Sequence, residues 1–187
     1  MRLLLTRSVC VFCGSRRGND PAHAAAAAEL GTALAGAGLR LVYGAGDVGL
    51  MGVLASAAIA AGGETLGVVP AHLVGRERGA RDLTRVVVTE TMHERKKVMF
   101  MNADAIVTLP GGGGSLDELF EVLTWRQLGL HDKHVYLLNV NGYWNPLLAL
   151  LVHIVAEGFA PAEVLGYLEP CDSVPELMGR LAALPIG

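Results

Sequence analysis

The chain has 187 residues, of which 52% are hydrophobic and 18% charged, with a formal net charge of -3. That balance excludes a disordered chain and argues against a nucleic-acid surface or a basic membrane-binding face. No run reaches the roughly 18 apolar residues a bilayer span needs, Thr6-Arg7-Ser8 breaks the apolar start before a signal-peptide core forms, and three cysteines make no disulfide framework; a cytoplasmic protein is expected.

Short β-rich runs alternate with helical patterns along the whole chain. A strand over 8–13 leads to a helix over 22–37, and a strand over 39–43 to a helix over 50–61. Strands over 65–69 and 85–88 precede a helix over 92–102. A strand over 105–109 and a helix over 115–128 follow, then a strand over 135–138 and helices over 146–157 and 174–184. Several runs are apolar throughout, as strands covered on both faces should be. The order predicts an α/β protein: a single doubly wound, mostly parallel Rossmann-like sheet with helices on both faces, in one domain over 1–187. The tail from Pro161 carries no motif and is expected to pack on the core or on a partner subunit.

In such folds ligands bind beyond the carboxyl ends of the strands, and this chain places glycines there. Gly14-Ser15 follows the first strand, Gly44-Ala-Gly46 the second, and Pro110-Gly-Gly-Gly-Gly114 the strand over 105–109. Three such loops on one edge let backbone N–H groups approach a phosphate or sugar. Gly44-Ala-Gly46-Asp-Val-Gly49 also fits a dinucleotide fingerprint. It follows the second strand rather than the first, however, and the strand after it ends at Val69-Pro70 without the expected ribose-binding acid, so the loop is expected to serve a mononucleotide or to close the pocket. Cys10-Val-Phe-Cys13 is rejected as a redox or zinc motif, because residues three apart on a strand face opposite ways. Arginines cluster at Arg16 and Arg17 and again at Arg76, Arg78, Arg81 and Arg85, as a solvated surface or as a local pull on an anion.

Two segments carry chemistry. In Pro110-Gly-Gly-Gly-Gly-Ser115-Leu116-Asp117-Glu118, a glycine loop opens a helix, which makes an anion site beside Glu118. The alternative for Glu118 is a capping box with Ser115 as N-cap, and Asp117 suits a first helical turn by its charge alone. In Met92-His-Glu-Arg95-Lys96-Lys97-Val-Met99, the residues Met92, Arg95, Lys96, Met99 and Ala103 share one helical face, while His93, Glu94 and Lys97 point to solvent. Arg95 then either pairs with a carboxylate or phosphate or snorkels to the surface.

Together these two segments resemble the LONELY GUY family of cytokinin-activating phosphoribohydrolases. The resemblance extends through Val11-Phe-Cys-Gly-Ser15, Leu41-Val-Tyr-Gly44, Gly49-Leu-Met-Gly52, Gly67-Val-Val-Pro70 and Thr124-Trp-Arg-Gln-Leu-Gly129. It implies hydrolysis of the N-glycosidic bond of a cytokinin riboside 5′-monophosphate, with plain AMP also accepted, and no metal or redox cofactor. It implies Arg95 and Glu118 as the catalytic pair. Nucleotide contacts fall on Glu77, Lys96, Gly112, Gly113, Gly114, Ser115, Leu116, Asp117 and Thr124, beside Gly14, Ser15, Gly44 and Gly46 of the loops. It further implies a homodimer, for which the methionines around Arg95 are suited. The chain departs from the family pattern where Ser115 replaces Thr, Ala45 replaces a middle Gly and His134 stands in place of Pro. On this reading Glu118 is ionised and stabilises positive charge on the ribose, Arg95 holds it ionised, and Lys96 adds charge toward the phosphate. Two rivals remain. One is a non-catalytic nucleotide carrier on the same fold. The other is a pyridoxal-phosphate decarboxylase, which needs a Schiff-base lysine from among Lys96, Lys97 and Lys133.

Overall fold

Val9, Cys10, Val11 and Phe12 are all buried because β1 (Ser8–Phe12) runs through the middle of a sheet covered on both faces. The computed structural model describes residues 7–74 and 83–184. Within them β1 is followed by α1 (Pro21–Gly36), β2 (Arg40–Tyr43), α2 (Gly49–Ala60), β3 (Thr65–Pro70), β4 (Arg85–Thr89), α3 (Met92–Met101), β5 (Ala105–Thr108), α4 (Gly113–Gln127), β6 (Val135–Leu138), α5 (Asn145–Ala156), β7 (Leu168–Cys171) and α6 (Val174–Ala182). The sheet order is β4-β3-β2-β1-β5-β6-β7, and every pairing is parallel.

The two-residue alternation of the strands feeds two cores. Val9, Val11, Leu41, Tyr43 and Val107 face one of them, where Leu30 and Leu34 of α1, Leu54 of α2 and Leu177 of α6 pack. Cys10, Phe12, Val42, Val68 and Ile106 face the other, against Met99 of α3, Leu119 of α4 and Leu147 of α5. Cys10 and Cys13 therefore enter different cores, and all three cysteines are free and buried.

Two expectations need correction. β7 is absent from the sequence reading because Leu168-Glu-Pro-Cys171 has neither alternation nor β-branched residues. Pro170 is tolerated because β7 is an edge strand, where one row of backbone groups goes unpaired. Of the two places offered for the tail, the structure gives the core: Val174, Leu177 and Leu181 of α6 are buried in it. The second correction concerns β4, which is not covered on both faces. It forms the opposite edge, and Val86 and Val88 stay exposed at 39% and 56%.

The winding runs outward from β1 through β2 and β3 to β4 on one side, and from β5 through β6 to β7 on the other. The chain thus reverses direction between β1 and β5, and the loops that leave those two strands separate there and open a crevice. One hydrogen bond ties them at its base, from Gly14 N–H to the Pro110 carbonyl at 3.0 Å.

Candidate active site

A cleft of about 800 Å³ opens at this reversal point. Its walls are the loop after β1 (from Cys13 and Gly14 to Asp20), the glycine loop after β5, the starts of α2 and α3, and Tyr143. The glycine loop forms one wall. α4 starts at Gly113, with Gly112 as N-cap and no side chain capping it. The first N–H groups of a helix have no intrahelical acceptor. Those of Gly112, Gly113, Gly114 and Ser115 have no other acceptor among the described residues, so they and the helix dipole present positive potential to the cleft.

This helix start removes the capping-box alternative. The glycines let the helix begin two residues before Ser115, which becomes the third helical residue and is buried against Gly111. Glu118 accordingly caps nothing, and Asp117 lies beyond the first turn. The box exists instead on α3: Thr91 Oγ1 accepts from Glu94 N–H at 3.1 Å, and Glu94 Oε2 accepts from Thr91 N–H at 3.3 Å. The sequence signal, Thr-x-x-Glu, was present there. The box fixes the start of α3 just before Arg95.

Glu118 lines the cleft without a hydrogen-bond or ion-pair partner among the described residues. Burial pushes its carboxyl up to about 7, and the Arg95 guanidinium pulls it partly back. Arg95 is buried on the stripe that the helical period predicted, but its partners are not carboxylates. Nε donates to the Val68 carbonyl at 3.1 Å and Nη2 to the Gly44 carbonyl at 2.7 Å, while Nη1 leans on Met92 Sδ at 3.8 Å. No carboxylate among the described residues lies within ion-pair distance of it, and N–H donors remain for a ligand. The expected direct clasp of Arg95 on Glu118 is replaced by action through space, because the carbonyl ends of β2 and β3 hold the guanidinium.

Gly44 serves this arrangement rather than a ligand. A methyl group on it would stand 1.8 Å from Arg95 Nη2. Gly44→Ala is expected to dislodge the guanidinium and cost about 2 kcal/mol or more, by overpacking and lost hydrogen bonds. Urea unfolding checks this, and a wild-type midpoint would refute the assignment.

The other expected contacts divide. Gly14, Ser15, Gly112, Gly113, Gly114, Ser115 and Asp117 line the cleft together with Arg95 and Glu118. Gly44 and Gly46 do not: they sit behind it, Gly44 under Arg95 and Gly46 against Met51. Lys96 does not either. Its ammonium bridges Asp117 at 2.9 Å and Glu121 at 2.7 Å, so its charge joins α3 to α4 rather than facing the phosphate position. Burial pulls the Lys96 amine down, but its hydrogen bonds to Glu121 and Asp117 outweigh this and hold it above its ordinary value. Leu116 packs toward the core, and the Thr124 hydroxyl donates back to the Phe120 carbonyl at 2.7 Å. Ala45 adopts a left-handed φ of 58° and is buried away from the cleft, so its methyl narrows no ligand path. His134 binds Glu169 at 2.6 Å on the far edge of the sheet. Glu77, Arg76, Arg78 and Arg81 lie outside the described residues.

Sequence reasoning missed Asn19, Asp20, His23, Met51 and Tyr143 as wall residues. Apart from Met51, which lies in Gly49-Leu-Met-Gly52, none belongs to a motif, and Tyr143 reaches the cleft only because β6 lies next to β5. Arg16 and Arg17 do line the cleft, as the second reading of their cluster has it. Lys96, Lys97 and Lys133 do not line it: Lys97 is exposed, and the Lys133 ammonium donates to the Phe100 carbonyl at 2.7 Å.

Fold and cleft together define a doubly wound α/β protein with a glycine loop at its reversal point that presents backbone N–H groups to the cleft. A family model described as possible lysine decarboxylase matches residues 51–181. The probable cytokinin riboside 5′-monophosphate phosphoribohydrolase LOG4 of Oryza sativa subsp. japonica is 46% identical over 94% of this chain and 76% of its own length. Cytokinin riboside 5′-monophosphate phosphoribohydrolase LOG1 of Arabidopsis thaliana is 43% identical over 94% of this chain and 82% of its own. The chain belongs to this LONELY GUY (LOG) family. Among solved structures, a molybdenum cofactor binding protein from Rippkaea orientalis superposes with a TM-score of 0.74 at 19% identity, over 96% of this chain and 98% of that one. At that identity the likeness concerns the fold alone.

Proposed function

We propose that the chain is an N-glycoside hydrolase of nucleoside 5′-monophosphates, taking cytokinin riboside 5′-monophosphates and unmodified AMP to the free base and ribose 5-phosphate. The observation that carries this is one helix start. Free N–H groups at Gly112, Gly113, Gly114 and Ser115 offer a phosphate seat, and Glu118, about one turn of 5.4 Å further on, lines the same cleft; none of them has a partner among the described residues. Helical side chains lean toward the N-terminus, which tips the carboxylate back toward a seated phosphate's own ribose. The names of the relatives point to the same reaction.

Breaking C1′–N9 leaves the bonding electrons on the base and positive charge on the ribose. Ionised Glu118 stabilises that charge and accepts a proton from the water whose oxygen bonds to C1′; the proton ends on the departing base. Arg95 keeps a fraction of Glu118 ionised near neutrality despite burial and turns its remaining donors toward the ribose or phosphate. Leu50, Met51 and Met92 give the cleft an apolar side suited to a purine. Residues 1–187 act as one such domain, in a cytoplasmic homodimer. In support, the cysteines are free, the described residues contain no helix long and apolar enough to cross a membrane, and Val86 and Val88 leave an apolar edge open.

The test is chromatographic. Purified protein is incubated with isopentenyladenosine monophosphate, AMP and the two dephosphorylated ribosides. Free base is expected from the monophosphates only. Release from the ribosides at equal rates would refute the phosphate seat; ligand binding with no release from any of them would favour a nucleotide carrier.

A further inference from the structure

The glycine loop is held at its two ends: Gly14 N–H donates to the Pro110 carbonyl at 3.0 Å, a methyl group on Gly111 would strike Ser115, and Leu116 N–H donates to the Gly112 carbonyl at 3.1 Å. Between those ends the Gly111–Gly112 peptide has open space beside it: a methyl group on Gly112 would meet nothing within 4 Å, and the Gly112 N–H has no acceptor among the described residues. Glycine peptides rotate at little cost. A half-turn of the Gly111–Gly112 peptide would exchange its N–H for its carbonyl oxygen and turn a repelling atom toward an anion, because the two point opposite ways across a trans peptide.

One bond opposes that rotation from outside the loop: the Tyr143 hydroxyl donates to the Gly111 carbonyl at 2.6 Å. Tyr143 is itself held on a stapled turn after β6. Its N–H donates to the Val140 carbonyl at 3.1 Å, and the next N–H, of Trp144, donates to Asn139 Oδ1 at 2.7 Å. Asn139 Nδ2 donates to Asn145 Oδ1 at 2.9 Å. Asn141, in a left-handed conformation at φ 52°, donates to Asp20 Oδ2 at 2.8 Å, which anchors the turn to the N-cap of α1. The Tyr143 ring lies edge-on to His23 and Trp144, at 5.3 and 4.8 Å between centroids. Strain of the Asn141 kind is retained where a surrounding structure needs it.

We propose that Tyr143 is a positioning residue of the phosphate seat. Its hydroxyl locks the Gly111–Gly112 peptide so that the N–H groups that follow keep one direction. This rests on the nucleotide reading above and adds to it a residue outside the Arg95 and Glu118 pair that selects for the phosphate rather than for the base.

The test is calorimetric titration of ribose 5-phosphate and of adenine into wild type and Tyr143→Phe, with melting temperatures of both. Removing one hydroxyl from a half-exposed ring is expected to leave melting unchanged. It should weaken ribose 5-phosphate about tenfold, near the upper end of what one hydrogen bond contributes, and leave adenine as it was. In turnover the loss should fall on KM for the monophosphate, with kcat nearly kept. Equal ribose 5-phosphate affinity in the two proteins would overturn the inference and leave the nucleotide reading standing. Parallel weakening of both ligands with a lower melting temperature would also overturn it, since that is the mark of a merely structural ring. Wild type that bound neither ligand would overturn the nucleotide reading and this inference with it.

Discussion

Glu118→Gln is expected to abolish most base release and, at the same time, to make the protein more stable above neutral pH. The first effect follows from the role of the carboxylate: a positioned base contributes about 10²–10⁴ in rate, and an amide neither accepts the proton nor balances the ribose charge. The second follows from the sign of the shift. Burial raises the folded-state pKa of Glu118 to about 7 from an ordinary value of 4.5, against the pull of Arg95. Folding therefore disfavours the ionised form. The penalty is absent below pH 4.5, grows between 4.5 and 7, and is complete above 7. With a discount for the solvent the open cleft admits, its size is about 1–3 kcal/mol. Urea unfolding of wild type and Glu118→Gln at pH 4 and pH 8 should give equal stabilities at the lower pH and a more stable variant at the higher. A variant less stable at both would restore a structural role for the glutamate. The same titration should appear in turnover, where wild-type kcat/KM rises with pH to a plateau above about 7. A profile flat from pH 5.5 to 8.5 would deny Glu118 its part as the ionised base.

Arg95→Ala is expected to fail in both respects. It leaves the Val68 and Gly44 carbonyls without their guanidinium donor and opens a hole beside β2 and β3. The expected loss is about 2–4 kcal/mol of stability, from lost hydrogen bonds and incomplete collapse of the site. It also removes the cation that pulls Glu118 down, so the midpoint of the pH profile moves upward from about 7. Base release at pH 7 should fall by about 10² or more, as the ionised fraction drops and the ribose loses its donor. Arg95→Lys separates the effects. It keeps a positive charge and hence most of the Glu118 titration, but a lysine cannot reach both carbonyls with one planar fork, so stability is restored only in part. Unfolding curves and pH–rate profiles of the three proteins decide the matter. Wild-type turnover by folded Arg95→Ala would remove Arg95 from the reaction.

The contrast between these two residues shows how far linear patterns reach. Arg95 was legible as a buried charge because helical period alone places it among Met92, Lys96, Met99 and Ala103. Its partners were not, because the Val68 and Gly44 carbonyls belong to strands that only the parallel sheet brings beneath α3. Lys96 was legible as buried on the same stripe, but its capture by Asp117 and Glu121 depends on how α3 docks on α4. For Glu118, spacing left a capping box and an active-site acid equally open. The actual first residue of α4, Gly113, removes the box and leaves the carboxylate lining the cleft.

By itself the sequence determined six of the seven strands, the helices between them and the placing of glycines at strand ends, since these depend on local periodicity and on backbone freedom within a few residues, and it carried the two motifs by which the chain resembles its family. Only the tertiary structure decided that the reversal falls between β1 and β5, that Gly44 makes room for a guanidinium rather than a ligand, and that Tyr143 stands over the glycine loop. Those outcomes depend on strand order and on contacts between residues far apart in sequence, whose energies no local pattern encodes.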